Sequence, residues 1–155
     1  MGTHLKAGDP APEFAVLATD GRLLRSTDFL GRKLVLYFYP MDDTPGCTKQ
    51  ACSLRDTSAS IAARGAAIVG VSAQGSESHQ RFTEKYNLNF PLLADTDLKI
   101  AKAYCVAGSG LSGLLRSVAK VSERVTFIID ENGRISHIID DPDCPDHGEE
   151  VLALL

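Results

Sequence analysis

The chain has 155 residues, 44% of them hydrophobic and 23% charged, with a formal net charge of −4. That length suits one domain with a single core, and the mixed composition excludes a disordered or low-complexity chain. There is no basic block to offer a footprint for nucleic acid or anionic lipid, and the apolar runs stop well short of the ~20 residues a membrane helix requires.

The opening stretch MGTHLKAGDPAPEF lacks the charged-then-apolar pattern of a signal peptide, which predicts a cytoplasmic or already processed protein. Residues 13–25 carry two short extended runs around Asp20-Gly21 and predict a β-hairpin. Continuous apolar, β-branched and aromatic residues over 34–39, and again over 66–72, predict two strands buried on both faces. Between them, residues 45–64 spread Ala51, Leu54, Ala59, Ile61 and Ala62 among polar positions, with Gly65 where a helix would stop. A right-handed strand-helix-strand unit follows from this order.

Ser76 is suited to cap a helix reaching about Asn87, with Phe82 and Tyr86 four apart on one face. Residues 90–94 read as a short strand, and Asp95 is suited to cap a helix carrying Leu98, Ile100, Ala101 and Tyr104. Residues 106–120, rich in glycine and serine, predict a long loop. Residues 125–130 and 134–139 flank Glu131-Asn132-Gly133, a hairpin signal, and residues 148–155 predict a last helix. Together these give an α/β fold: a mixed central sheet flanked by helices, with an extra amino-terminal hairpin, all in one domain over residues 1–155.

Four cysteines at irregular spacing, Cys47, Cys52, Cys105 and Cys144, argue against a disulfide scaffold in a chain with an adequate core. Cys47 falls in the first turn of the predicted helix, two residues after Pro45, a residue favoured at helix starts. Free amides and the positive end of the helix dipole would surround its sulfur and favour thiolate over thiol. The plainer alternative is a small buried hydrophobe.

Pro40-Met41-Asp42-Asp43-Thr44-Pro45-Gly46-Cys47 reads PxxxTPGC. With Cys52 at CxxxxC spacing and Arg124 in the run ERVTFIID, the chain resembles the peroxiredoxins over about residues 5–155, and in particular their peroxiredoxin Q or bacterioferritin comigratory protein branch. The resemblance implies a thioredoxin-like fold and thiol-dependent reduction of hydrogen peroxide and alkyl hydroperoxides, without a cofactor. It implies thioredoxin, or alternatively glutaredoxin, as reductant, and a monomer that resolves its disulfide within one chain. It makes Cys47 the peroxidatic cysteine, Cys52 the resolving cysteine, and Thr44, Arg124 and Pro40 the pocket that holds peroxide against the sulfur. Met41 departs from the pattern, standing where a charged or polar residue is common.

Physical chemistry constrains this division of roles. A thiol of ordinary pKa is about 3% thiolate at neutral pH, so full ionisation gives about thirty times more nucleophile. A Brønsted slope of about 0.4–0.5 returns most of that gain as lost intrinsic reactivity. The remainder must come from stabilising the O–O bond as it breaks, for which a permanently charged, forked arginine is suited. The rival reading of Arg124 is a surface ion pair with Glu123, and of Thr44 a turn or cap hydroxyl.

Cys52 raises a geometric difficulty. Residues five apart in a continuous helix are separated by about 7.5 Å of rise and about 140° of rotation, leaving their Cα atoms about 8.6 Å apart. Disulfides rarely tolerate more than about 7 Å. If the two cysteines bond, the first turns of the helix must unwind.

Cys105 reads as a core or loop thiol, with a lesser claim as an alternative resolver. Cys144, in DDPDCPDHG, reads as an exposed loop thiol disfavoured as a thiolate by Asp141, Asp143 and Asp146, and no role is assigned to it. Cys144-Pro-Asp-His147 has the spacing of half a metal site, but Cys47 and Cys52 are too widely spaced to supply the other half. His79 and His137 read as surface or edge residues. A dithiol-exchange protein would normally carry CxxC, which is absent, and a non-enzymatic holdase is the remaining rival.

Overall fold

In the computed structural model, which describes residues 3–107 and 122–155, an antiparallel pair comes first: Ala15–Leu17 (β1) and Leu23–Arg25 (β2). The chain turns between them at Gly21, whose φ of +85° is open to glycine and costly to other residues. A short 3-10 turn over Ser26–Phe29 leads into Lys33–Phe38 (β3), Pro45–Ala63 (α1) and Ala66–Ser72 (β4). Ser76–Tyr86 (α2), Leu92–Ala94 (β5) and Lys99–Ala103 (α3) follow. Val125–Ile129 (β6), Ile135–Ile139 (β7), a 3-10 turn over Cys144–Asp146 and His147–Ala153 (α4) complete the order.

The main sheet runs β5-β4-β3-β6-β7. Strands β3, β4 and β5 are parallel, while β6 runs antiparallel to β3 and β7 to β6. This is the mixed, helix-flanked sheet with a separate amino-terminal hairpin that the apolar patterning predicts.

Strand alternation divides the core in two. Leu34, Leu36 and Phe38 point to one face, among Tyr104, Phe127 and Val125. Val35, Tyr37 and Tyr39 belong to the other, among Cys47, Ala51, Leu54 and Ile61. Helices therefore need to cover both faces, which explains why β3 reads as an unbroken apolar run. Helix α1 contributes Ala51, Leu54 and Ile61 to the second core, and Gly65, with φ +77°, ends its last turn. Helix α4 docks on α1 through Gly148, whose amide donates to Ser53 Oγ at 2.8 Å. A Cβ on Gly148 would collide with Thr57 Oγ1 and the Ser53 carbonyl, so the glycine sets how closely the two helices approach.

Local caps differ from the sequence reading. Gly75, not Ser76, occupies the cap position of α2, and Ser76 is already helical. Leu98 flanks α3, yet Asp95 does the chemical work of a cap from further upstream: its carboxylate accepts from the amides of Ile100 and Ala101, each at 2.9 Å. The strand expected over 90–94 begins at Leu92. Most of the predicted 106–120 loop lies outside the described residues.

Candidate active site

Strand β3 delivers the chain at its carboxyl end to a loop that hands it to α1. Thr44 is the extended residue before the helix, Pro45 is its first residue and Cys47 its third. Proline costs no hydrogen bond at that position, because the first amides of a helix have no intrahelical partner. Cys47 is 1% exposed, and its sulfur sits at the positive end of a 19-residue helix.

Strand β6 runs antiparallel to β3, pairing Val125 with Phe38, so the residue before β6 emerges at the end of the sheet where β3 leaves it. That residue is Arg124. Its Nη2 donates to Cys47 Sγ at 3.2 Å and its Nη1 to Gln50 Oε1 at 2.6 Å. These two contacts aim the guanidinium at the start of α1. Gln50 lies one helical turn after Cys47 and is fully buried, with Nε2 left unpartnered among the described residues. Gly46 leaves room for the guanidinium: a Cβ there would lie 3.3 Å from Nη2.

The other expected residues gather on the same loop. The Pro40 carbonyl accepts from Ser72 Oγ and Gln74 Nε2, both at 3.4 Å, and proline brings no amide proton of its own to the pocket. Thr44 Oγ1 donates to the Met41 carbonyl at 3.2 Å, which leaves its lone pairs available. Cys52 is half-buried further along the same unbroken helix, and Cys47 and Cys52 are both free thiols.

Two consecutive acids pin the loop to α2. Asp43, at φ +60°, accepts from Lys85 Nζ at 2.8 Å and Tyr86 OH at 2.7 Å. Asp42 accepts from Tyr39 OH at 2.6 Å and Ser78 Oγ at 2.7 Å, and pairs with His79 Nδ1 at 2.6 Å. His79 is therefore no surface residue. It is wholly buried, and its Nε2 faces the Leu93 carbonyl at 2.9 Å, so both ring nitrogens meet acceptors. Burial alone would push the Asp42 carboxyl up, but the His79 hydrogen bond and charge, with the two hydroxyls, outweigh it and hold it below its ordinary range. Sequence reading missed this pair because 37 residues separate its members. Gln50 was within its reach, since a residue three after Cys47 shares its helix face.

Cys144 also departs from expectation. It is half-buried and opens the 3-10 turn packed against the start of α1. Its Sγ would lie 3.9 Å from a Cβ on Gly46. Burial is the main cause that raises its pKa, with Cys47, Asp143 and Glu150 adding to it, while Arg124 opposes. His147 of the former half-site is buried, with Nε2 against Thr126 Oγ1 at 2.8 Å and Nδ1 against Glu150 Oε1 at 3.0 Å.

A cation and a helix terminus thus converge on one buried sulfur, just past a loop tied to α2. Such a site can stabilise negative charge on the sulfur's reaction partner, a bound oxygen.

Comparison with known proteins agrees with this chemistry. The AhpC/TSA family profile matches residues 7–138. The chain is 39% identical over 148 residues to peroxiredoxin Bcp of Escherichia coli K12, covering 96% of this chain and 94% of that protein. It is 40% identical to the chloroplastic peroxiredoxin Q of Sedum lineare, covering 96% and 76%. Among solved structures, peroxidoxin BcpB of Mycobacterium tuberculosis superposes with a TM-score of 0.84 at 32% identity, covering 97% and 96% of the two chains. A peroxiredoxin Q mutant of Xylella fastidiosa gives 0.87 at 28%, covering 98% and 96%.

Proposed function

The chain belongs to the AhpC/TSA family, as a thiol peroxidase of the Bcp and peroxiredoxin Q type, and from that premise we propose that it is a thioredoxin-dependent peroxiredoxin reducing hydrogen peroxide and alkyl hydroperoxides. In this reading it acts in the cytoplasm as a single domain over residues 1–155 and as a monomer, since resolution within one chain needs no partner subunit. A solved relative from Xanthomonas campestris is described for its alkyl peroxide reduction activity, which supports the substrate class.

The observation that carries the reading is the 3.2 Å contact from Arg124 Nη2 to Cys47 Sγ at the start of α1. The Cys47 thiolate attacks one peroxide oxygen, the O–O bond breaks, and the other oxygen leaves as water or alcohol after taking a proton. Negative charge builds on that oxygen in the transition state, where the guanidinium fork stabilises it, while the Thr44 hydroxyl, its own proton given to the Met41 carbonyl, accepts the O–H of the bound hydroperoxide and orients it. Pro40 walls the sulfur from water. The Cys47 sulfenic acid then condenses with the Cys52 thiol, releasing water and forming a disulfide that the thioredoxin dithiol reduces. Because both cysteines sit in one unbroken helix, the first turns of α1 open before that bond closes.

Stoichiometric peroxide added to reduced protein tests the reading. Wild type is expected to lose two thiols rapidly, and Cys47→Ser none at comparable speed. Loss in wild type no faster than for a free thiol in solution would overturn the peroxidase assignment. Turnover with thioredoxin, thioredoxin reductase and NADPH, set against the same assay with glutaredoxin, tests the reductant.

A further inference from the structure

Arg124 and Cys144 both reach the backbone beside Cys47. A Cβ on Gly46 would lie 3.3 Å from Arg124 Nη2 and 3.9 Å from Cys144 Sγ. Gly46 immediately precedes Cys47, so the Cys144 sulfur stands over the first turn of α1, against the backbone next to the sulfur that reacts. Cys52 stands further along the helix, beyond disulfide reach while α1 is closed. The two thiols thus differ in what each needs before it can meet Cys47.

We propose that Cys144 is a second resolving cysteine, which captures the Cys47 sulfenic acid while α1 remains helical. This rests on the assignment of Cys47 as the residue that peroxide oxidises. The step is a condensation: Cys144 sulfur attacks Cys47 sulfur, the S–O bond breaks, and the hydroxyl leaves as water with the proton of the Cys144 thiol. Peroxide has already supplied the oxidation, so no other oxidant is needed.

Three features make the approach feasible. Oxidation converts the Cys47 thiolate to a neutral sulfenic acid, which removes the charge that draws Arg124 Nη2 to the sulfur and weakens that contact, while Nη1 stays on Gln50. The Cys144 sulfur is held only weakly, by a 3.9 Å contact to the Pro142 carbonyl. The turn that carries it has three residues, tied down through Asp143, whose amide donates to Glu150 Oε1 at 2.8 Å and whose carbonyl accepts from the Asp146 amide at 2.9 Å. A shift of this short turn brings Cys144 in without disturbing the nineteen-residue helix.

The Cys52→Ser protein isolates this route. One equivalent of peroxide is added to it and to Cys52→Ser/Cys144→Ser, thiols are counted, disulfide-linked peptides are mapped by mass spectrometry, and sulfenic acid is trapped with dimedone. Cys52→Ser is expected to lose two thiols, to yield a peptide linking Cys47 to Cys144, and to keep its far-ultraviolet circular dichroism. The double variant is expected to lose one thiol and to be dimedone-labelled at Cys47. A stable, dimedone-reactive Cys47 in Cys52→Ser, or linkage to Cys105 or to a second molecule instead, would overturn the proposal. Absence of any Cys47 oxidation in both proteins would instead overturn the peroxidase reading beneath it.

Discussion

Arg124 donates to Cys47 across 3.2 Å, although 77 residues separate them in the chain. The contact exists because β6 pairs antiparallel with β3, which sets the residue before one strand beside the loop after the other. Arg124→Lys keeps a charge but loses the fork that reaches Cys47 and Gln50 together. The second-order rate of peroxide-driven thiol loss, followed by stopped flow, is expected to fall about 10²-fold in Arg124→Lys and about 10³-fold in Arg124→Ala. A rate within twofold of wild type for Arg124→Ala would remove the guanidinium from the mechanism.

Gln50 holds the other arm of that guanidinium at 2.6 Å. Gln50→Leu deletes the acceptor and lets the fork drift, with an expected loss of about tenfold in the same rate. Gln50→Glu restores an acceptor at the same place and is expected to recover most of it. Equal rates for the leucine and glutamate variants would show that the contact positions nothing.

Asp42 and His79 form a buried pair, 4% and 0% exposed, that anchors the loop leading to Cys47. Removing one member leaves the other without its partner, so Asp42→Asn is expected to cost about 3 kcal/mol at pH 7 by urea denaturation. The Asp42 carboxyl is held below its ordinary value of 3.8. Its stabilisation is therefore complete above that value and lost as pH falls through the lowered folded value. The gap between wild type and variant should persist at pH 5 and close only below about pH 3.8; a gap already closed at pH 5 would contradict the sign.

Gly148 sits where a methyl group would strike Thr57 and the Ser53 carbonyl. Gly148→Ala is expected to cost about 1–3 kcal/mol through overpacking, a fall of several degrees in Tm. An unchanged Tm would mean that α4 moves away from α1 without penalty.

In the proposed cycle, joining Cys47 to Cys52 requires α1 to open. Wild type converted to the Cys47–Cys52 disulfide is expected to lose amide protection around residues 45–52 in hydrogen exchange and part of its helical circular dichroism. A Cys47–Cys52 bond formed with full helix protection would refute the opening step.

Much of this was legible in the chain. The apolar run over 66–72 coincides with β4, and Pro45 and Gly65 bracket α1 to within a residue, because strand burial and helix ends are local decisions of backbone and side chain. The cap of α2 was misplaced by one residue, since Gly75 and Ser76 are both acceptable there and packing chose between them. Asp95 caps α3 through a turn that no cap spacing encodes.

Pro45 and the helix start it marks placed Cys47 in the first turn of α1 from sequence alone, since a helix terminus and its free amides arise within a few residues. What surrounds that sulfur is non-local: Arg124 against Cys47, His79 against Asp42, and Cys144 over Gly46 all depend on which strands pair and which helices pack. Side chains far apart in sequence meet only after the chain has buried its apolar faces. Hence the sequence by itself determined which cysteine stands at the helix start, and the tertiary structure decided which distant side chains meet it.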